Sequence, residues 1–101
     1  MKKLLAIAML ALPLAAHADE KQDEICKLIS ETARSIMEGR QEGIALSKYV
    51  DTLNRGNDPN VNDLLVTVAK KAYTVPRYST AEYKERAAVD FENEMYLTCV
   101  R

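Results

Sequence analysis

The sequence predicts an all-α protein: a small bundle of three long helices and one short helix, stapled by one disulfide. Three observations carry that expectation. Apolar residues recur three and four apart in separate stretches, the spacing that lines one face of a helix. No stretch sustains an apolar-polar alternation or contains a hairpin turn, so strands are not expected. Two cysteines, Cys26 and Cys99, stand far apart in the chain, and an even count in an exported protein reads as a bond.

Export is itself an expectation from the first eighteen residues, MKKLLAIAMLALPLAAHA. Lys2 and Lys3 supply positive charge, Leu4 to Ala15 an apolar run, and Ala16-His17-Ala18 a small-x-small cleavage pattern. The run falls short of the roughly 20 residues that a membrane span needs. Residues 1–18 therefore read as a secretory signal cleaved after Ala18, and residues 19–101 as one helical domain that is periplasmic or secreted, without a membrane anchor.

Each helix follows from its own signals. The first runs from about Glu20 to Gln41, with Ile25, Leu28, Ile29, Ala33, Ile36 and Met37 as its inner stripe and Gly43 as its stop. Gly39 weakens its last turn. Ser47 reads as the N-cap of a short second helix, Lys48 to about Asn54, burying Val50 and Leu53. Asn54-Arg-Gly-Asn-Asp58 is a loop. Asp58 followed by Pro59 opens the third helix, whose inner face is Val61, Leu64, Leu65, Val68, Ala69 and Ala72. Val75 precedes Pro76 and is biased away from helical torsions, so this helix ends near Thr74.

The fourth helix is expected from Thr80 to about Val100. Ser79 and Glu82 form a capping box, and Tyr78 and Tyr83 stand where apolar side chains staple a helix entry. Tyr83, Ala87, Ala88, Phe91, Met95 and Cys99 make its inner face. A Cys26–Cys99 bond joins the start of the first helix to the end of the fourth, which suits antiparallel neighbours. Closing a loop of about 74 residues restricts the unfolded chain by roughly 4–5 kcal/mol in the chain-entropy model. A domain this small has a limited core, so that increment rivals its whole net stability.

Composition removes several function classes. Without Lys2 and Lys3 the 14 basic residues fall to 12 against 15 acidic ones, a formal charge of −3. Nucleic-acid binding needs a basic surface and is not expected. The only histidine, His17, leaves with the signal, so none remains as general base or metal ligand. There is no phosphate loop, metal-ligand spacing, serine elbow or C-x-x-C motif, and neither metal nor cofactor is expected. Glu82, Glu85, Asp90, Glu92 and Glu94 on the fourth helix are the one source of an acid–base pair. Carboxylates on a solvated helix face are ordinary, and an enzyme is not expected.

Contact chemistry is the remaining signal. Five tyrosines accompany one phenylalanine and no tryptophan, and tyrosine and arginine are enriched at binding hot spots. Tyr73 and Tyr83 fall on or beside inner faces and are expected in the core with a wet hydroxyl. Arg77 and Tyr78, Arg40 and Gln41, and Tyr96 are the candidate partner-binding residues. Arg77 in particular is required by no part of the helix punctuation around it.

Three segments carry a resemblance: A-x-x-I-M-x-x-R-Q-x-G (Ala33 to Gly43), A-Y-x-V-P-R-Y (Ala72 to Tyr78) and F-x-N-x-x-Y-x-x-C (Phe91 to Cys99). The chain resembles small exported proteins found in phage and prophage genomes, mostly of uncharacterised function. The resemblance implies a shared fold and offers no catalytic residue to carry over. In build such a protein is similar to factors that block superinfection, inhibit cell-wall-degrading enzymes or neutralise secreted toxins. The expected function is a periplasmic, non-enzymatic factor that occludes a protein partner, such as a lysozyme or an amidase-like enzyme. A periplasmic stress or chaperone-like protein, exposing apolar surface when its carboxylates protonate, is the alternative.

Overall fold

The computed structural model describes the backbone from Lys2 and the side chains from Glu20 to Arg101. Of the expected secretory signal, residues 1–18, only the backbone from Lys2 is described; it is helical, so α1 begins ahead of the Glu20 that the periodicity marks. Four helices follow one another: α1 (Lys2–Gln41), α2 (Leu46–Leu53), α3 (Pro59–Ala72) and α4 (Ala81–Val100). Among the described residues there is no strand, and no helix is long and apolar enough to cross a membrane.

The helix ends show which polar groups close each one. α1 stops in a Schellman turn: Ile44 N–H donates to the Gly39 carbonyl at 2.9 Å and Gly43 N–H to the Arg40 carbonyl at 3.1 Å. Gly43 sits at φ +88°, a left-handed torsion that a Cβ disfavours. α3 opens as its sequence predicts, with Pro59 in the first position and the Asp58 carboxylate accepting from Asn60 and Val61 N–H at 3.0 and 3.4 Å.

Two caps differ from expectation. α2 starts behind Ala45 with no side-chain cap, so Ser47 lies inside the first turn. Leu46 is drawn into the helix because its side chain packs on the core. At α4 the capping hydroxyl belongs to Thr80, which accepts from Tyr83 N–H at 3.2 Å. Thr80 holds the extended torsions of an N-cap, which puts Tyr83, not Glu82, in the third helical position. The Ser79–Glu82 box therefore does not form, and Glu82 pairs with Arg86 at 3.2 Å. The Tyr78 and Tyr83 rings still meet, 6.1 Å between centroids.

α1 and α4 run antiparallel and share the main interface. Ala33, Ile36 and Met37 of α1 face Ala87, Ala88, Phe91 and Met95 of α4, and α3 adds Val68, Ala69 and Ala72. Alanines at the contact positions let the helix axes approach, and Phe91 and the methionines fill the space between. Arg34 crosses this interface to Glu92 at 3.1 Å and to Glu85. At the far end Cys26 and Cys99 form the disulfide, Cα atoms 5.5 Å apart, as the cysteine count predicts.

α3 runs alongside α1 in the same direction: Val61, Leu64 and Leu65 lie beside Ile25, Leu28 and Ile29, and Tyr73 reaches Arg40 and Ile44 at the other end. α2 descends between them. Its Tyr49 hydroxyl donates to the Ser35 carbonyl at 3.4 Å, and a Cβ at Gly39 would overlap that hydroxyl. Gly39 is thus the place where α2 beds onto α1, a packing role that its position in the chain does not announce.

The inner stripes are shorter than the periodicity suggests. Ile25 and Leu28 are 58% and 64% exposed, and Val61 and Leu64 are 46% exposed each. Tyr83, expected in the core, lies on the surface.

Replacing both cysteines with alanine is expected to lower the unfolding free energy by up to about 4 kcal/mol. Urea titration of the oxidised protein and the double variant measures it. An unmoved midpoint would show that the disulfide adds nothing to stability.

Candidate functional site

Two surfaces compete for a functional role: the corner between α3 and α4, and the lower seam between α1 and α3. The corner is built around Gln41, the last residue of α1, which is 1% exposed. Its side-chain amide donates to the Pro76 carbonyl at 2.9 Å and accepts from Tyr78 N–H at 2.8 Å. One side chain thereby satisfies two of the backbone groups that the Val75-Pro76 turn leaves without helix partners.

Arg40, Arg77 and Lys84 complete the same strap. Arg40 donates to the Val75 carbonyl at 3.0 Å, and its guanidinium lies 5.1 Å from the centre of the Tyr73 ring. Arg77 donates to the Gln41 carbonyl at 3.2 Å and covers Gly43, while Lys84 donates to that same carbonyl at 2.8 Å. Two cations at the end of α1 meet the negative pole of the helix and its unpaired carbonyl. Arg77, for which the local sequence offered no duty, caps a helix 36 residues upstream.

The five candidate contact residues therefore separate. Gln41 is buried, and Arg40 and Arg77 are engaged within the chain. Tyr78 is exposed beside Tyr83, Arg86 and Asp90, which line a small hollow of about 210 Å³. Tyr96 is half-buried near the opposite end of α4, one turn before Cys99. The corner brings Arg40, Gln41, Arg77 and Tyr78 together and leaves Tyr96 apart.

Tyr73 and Tyr49 stand edge to face next to the strap, 6.3 Å between centroids, and the Tyr73 hydroxyl donates to the Ile44 carbonyl. Burial pushes both phenols above the ordinary tyrosine range; Glu38 adds to the shift at Tyr49, and Tyr49 adds to it at Tyr73 against the opposing charge of Arg40. The carboxylates of α4 are mostly paired. Glu85 and Glu92 meet Arg34, Glu94 meets Lys71 at 2.9 Å, and Glu82 meets Arg86. Hydrogen bonds and charge from Glu92 and Glu85 raise the Arg34 pKa further above its ordinary value. Among the described residues no group of three carboxylates, cysteines or histidines is placed to hold a metal ion.

The second surface is an apolar groove of about 320 Å³, lined by Ile25, Leu28, Ile29 and Thr32 of α1 and Val61, Leu64 and Leu65 of α3. No titratable side chain lines it, so it offers contact and not chemistry. All of these except Thr32 belong to the inner stripes that the periodicity predicts. The signal that distinguishes them is helix length: α2, at 8 residues, spans about 12 Å and cannot cover the seam beneath α3, whose 14 residues span about 21 Å. The cleft between α1 and the start of α4, lined by Glu38, Glu42, Lys84 and Glu85, is charged and wide.

Searches of protein-family models, curated proteins and solved structures return no match to the chain.

Two expectations follow from the strap. Gln41→Ala leaves the Tyr78 N–H and the Pro76 carbonyl without partners and should cost about 1–3 kcal/mol. Arg77→Ala should cost under about 1 kcal/mol, because Lys84 keeps the carbonyl and Arg77 is exposed. Denaturant titration ranks the two, and equal losses would refute the assignment of Gln41 as the strut. The raised tyrosines set a pH dependence of definite sign. Above a pH of about 10 the unfolded chain releases phenolic protons that the folded chain still holds, so stability is full below that pH and falls above it. Melting temperatures from pH 8 to 11 should decline more steeply for the natural chain than for Tyr49→Phe.

Proposed function

We propose that the chain is a non-enzymatic protein-binding factor, phage- or prophage-encoded, that acts in the periplasm by occluding a partner protein. The observation that carries this reading is the open apolar groove between α1 and α3. Monomeric proteins rarely leave a concave patch of large aliphatic side chains facing water, and such patches mark contact surfaces. The disulfide fits a non-reducing compartment. The reading of a phage origin rests on the three quoted segments.

The contact surface is assigned to the groove and not to the Arg77 corner, because Arg40, Gln41 and Arg77 are occupied within the chain. Tyr78 stays available at the edge of a separate hollow. A cell-wall-degrading enzyme is the partner class that charge favours: an acidic chain is steered toward a basic partner, and lysozymes are commonly basic. Superinfection exclusion and immunity to a secreted toxin both fit such an inhibitor.

The test is stoichiometric inhibition. Oxidised protein is titrated against phage and toxin muralytic enzymes, with Leu28→Asp and Leu64→Asp in parallel. Both residues are exposed, so the fold should survive. Saturation at one inhibitor per enzyme is expected, weakened at least about tenfold by either substitution, because each puts an unpaired carboxylate into an apolar contact. An uninhibited panel together with unchanged phage entry and toxin killing overturns the reading. Non-stoichiometric suppression of aggregation of unrelated proteins, rising as the pH falls, would instead support the stress-protein alternative.

A further inference from the structure

We propose that the groove receives a short amphipathic helix with basic flanks, presented by the partner protein. This rests on the groove being the contact surface and adds what the occupant must be. One line of α1 carries Leu28, Thr32, Ser35 and Gly39, residues three and four apart on the same face. The upper half of that line is already occupied by a helix. Tyr49 of α2 reaches Ser35 and the bare backbone at Gly39, and Leu46 and Leu53 rest on the core beside it. The lower half, at Leu28 and Thr32, is open.

α2 cannot slide down to fill it. The chain turns away at Asn54, and the buried Asn62 amide holds the loop by donating to the Gly56 carbonyl at 2.9 Å. Below that turn the two parallel helices line the groove, with the half-buried Ile29 and Leu65 deepest and the exposed Ile25, Leu28, Val61 and Leu64 at its walls. The open length is about two helical turns, from the difference in length between α3 and α2. A helix laid in line with α2 and bearing aliphatic side chains at i, i+3 and i+4 repeats below what α2 does above.

The rim gives the occupant its charge. Glu24 and Glu31 stand one turn to either side of Leu28 on α1. Both are exposed and join no ion pair among the described residues. Lys21 lies at the lower end of the line, and Lys27 lies further round α1, behind the two glutamates. The α1 edge that a bound helix would meet is therefore acidic. Lysine or arginine beside its apolar stripe would be drawn in, and glutamate or aspartate repelled. The same rim disfavours a second copy of this chain, which would bring acidic edges against acidic edges.

The test uses the full-length oxidised chain and two synthetic helix-forming peptides. Both have leucine at i, i+3, i+4 and i+7; one carries lysine and the other glutamate at the flanking positions. Affinities by fluorescence anisotropy at low salt should favour the lysine peptide by at least about tenfold. The preference should shrink as salt rises, reverse in Glu24→Lys/Glu31→Lys, and give way to no binding in Leu28→Asp. Light scattering of the free protein is run alongside. Equal binding of both peptides, lost in Leu28→Asp, overturns the charge assignment and leaves the groove as the contact surface. A dimer that Leu28→Asp dissociates overturns the inference in favour of a second copy. No binding by a monomer overturns both the occupant and the contact surface.

Discussion

Gln41 holds the point on which the molecule turns. Its buried amide satisfies a carbonyl and an N–H in the segment that joins α3 to α4. With that segment fixed, Thr80 caps α4 in one place, and the rest of α4 meets α1 in step. Going down α1 from Gln41 to Arg34 to Cys26 is matched by going along α4 from Lys84 to Glu92 to Cys99. The three ties differ in kind: a carbonyl shared by cations, an ion pair and a covalent bond. An ion pair at the surface adds little by itself, so register rests on the two ends and on the alanine-lined interface between them.

The same geometry decides what α3 leaves open. α1 and α4 cover each other along their shared length, whereas the seam between α1 and α3 depends on α2, which is too short to reach its lower end. The apolar groove is the consequence. Its residues obey the helical periodicity as well as any core residue does, and they differ only in having no third layer over them. An apolar stripe longer than the element that covers it is a physical reason to look for an occupant, and the acidic residues beside this one narrow its chemistry.

Much of the fold was legible in the chain. Asp58-Pro59, Val75-Pro76 and the glycine at 43 mark helix ends through torsions and missing donors that act locally, and each is where the residues indicate. The neighbouring hydroxyls Ser79 and Thr80 were not separable in this way. Either can cap, and the choice fell to whichever residue the strapped corner holds in the extended conformation. The candidate site was legible in part. Arg40, Gln41, Arg77 and Tyr78 stand out in the chain as candidate contact residues, but the partners the structure gives them are the carbonyls and N–H groups of one another's segments. A guanidinium bonded to a backbone oxygen 36 residues away looks in sequence like a guanidinium waiting for a partner.

The sequence by itself determined the helical class, the stop of α1 at Gly43, the start of α3 at Asp58-Pro59, the break at Val75-Pro76 and the pairing of the only two cysteines, because periodicity, torsional preference and a count of two act over a few residues or leave no choice. The tertiary structure alone decided which apolar residues are core and which line a groove, and which polar residues are struts and which face water. Burial is a property of two surfaces meeting. Leu28 and Met37 lie on the inner stripe of one helix, and only the reach of α2 and α4 makes the first a groove wall and the second a core side chain.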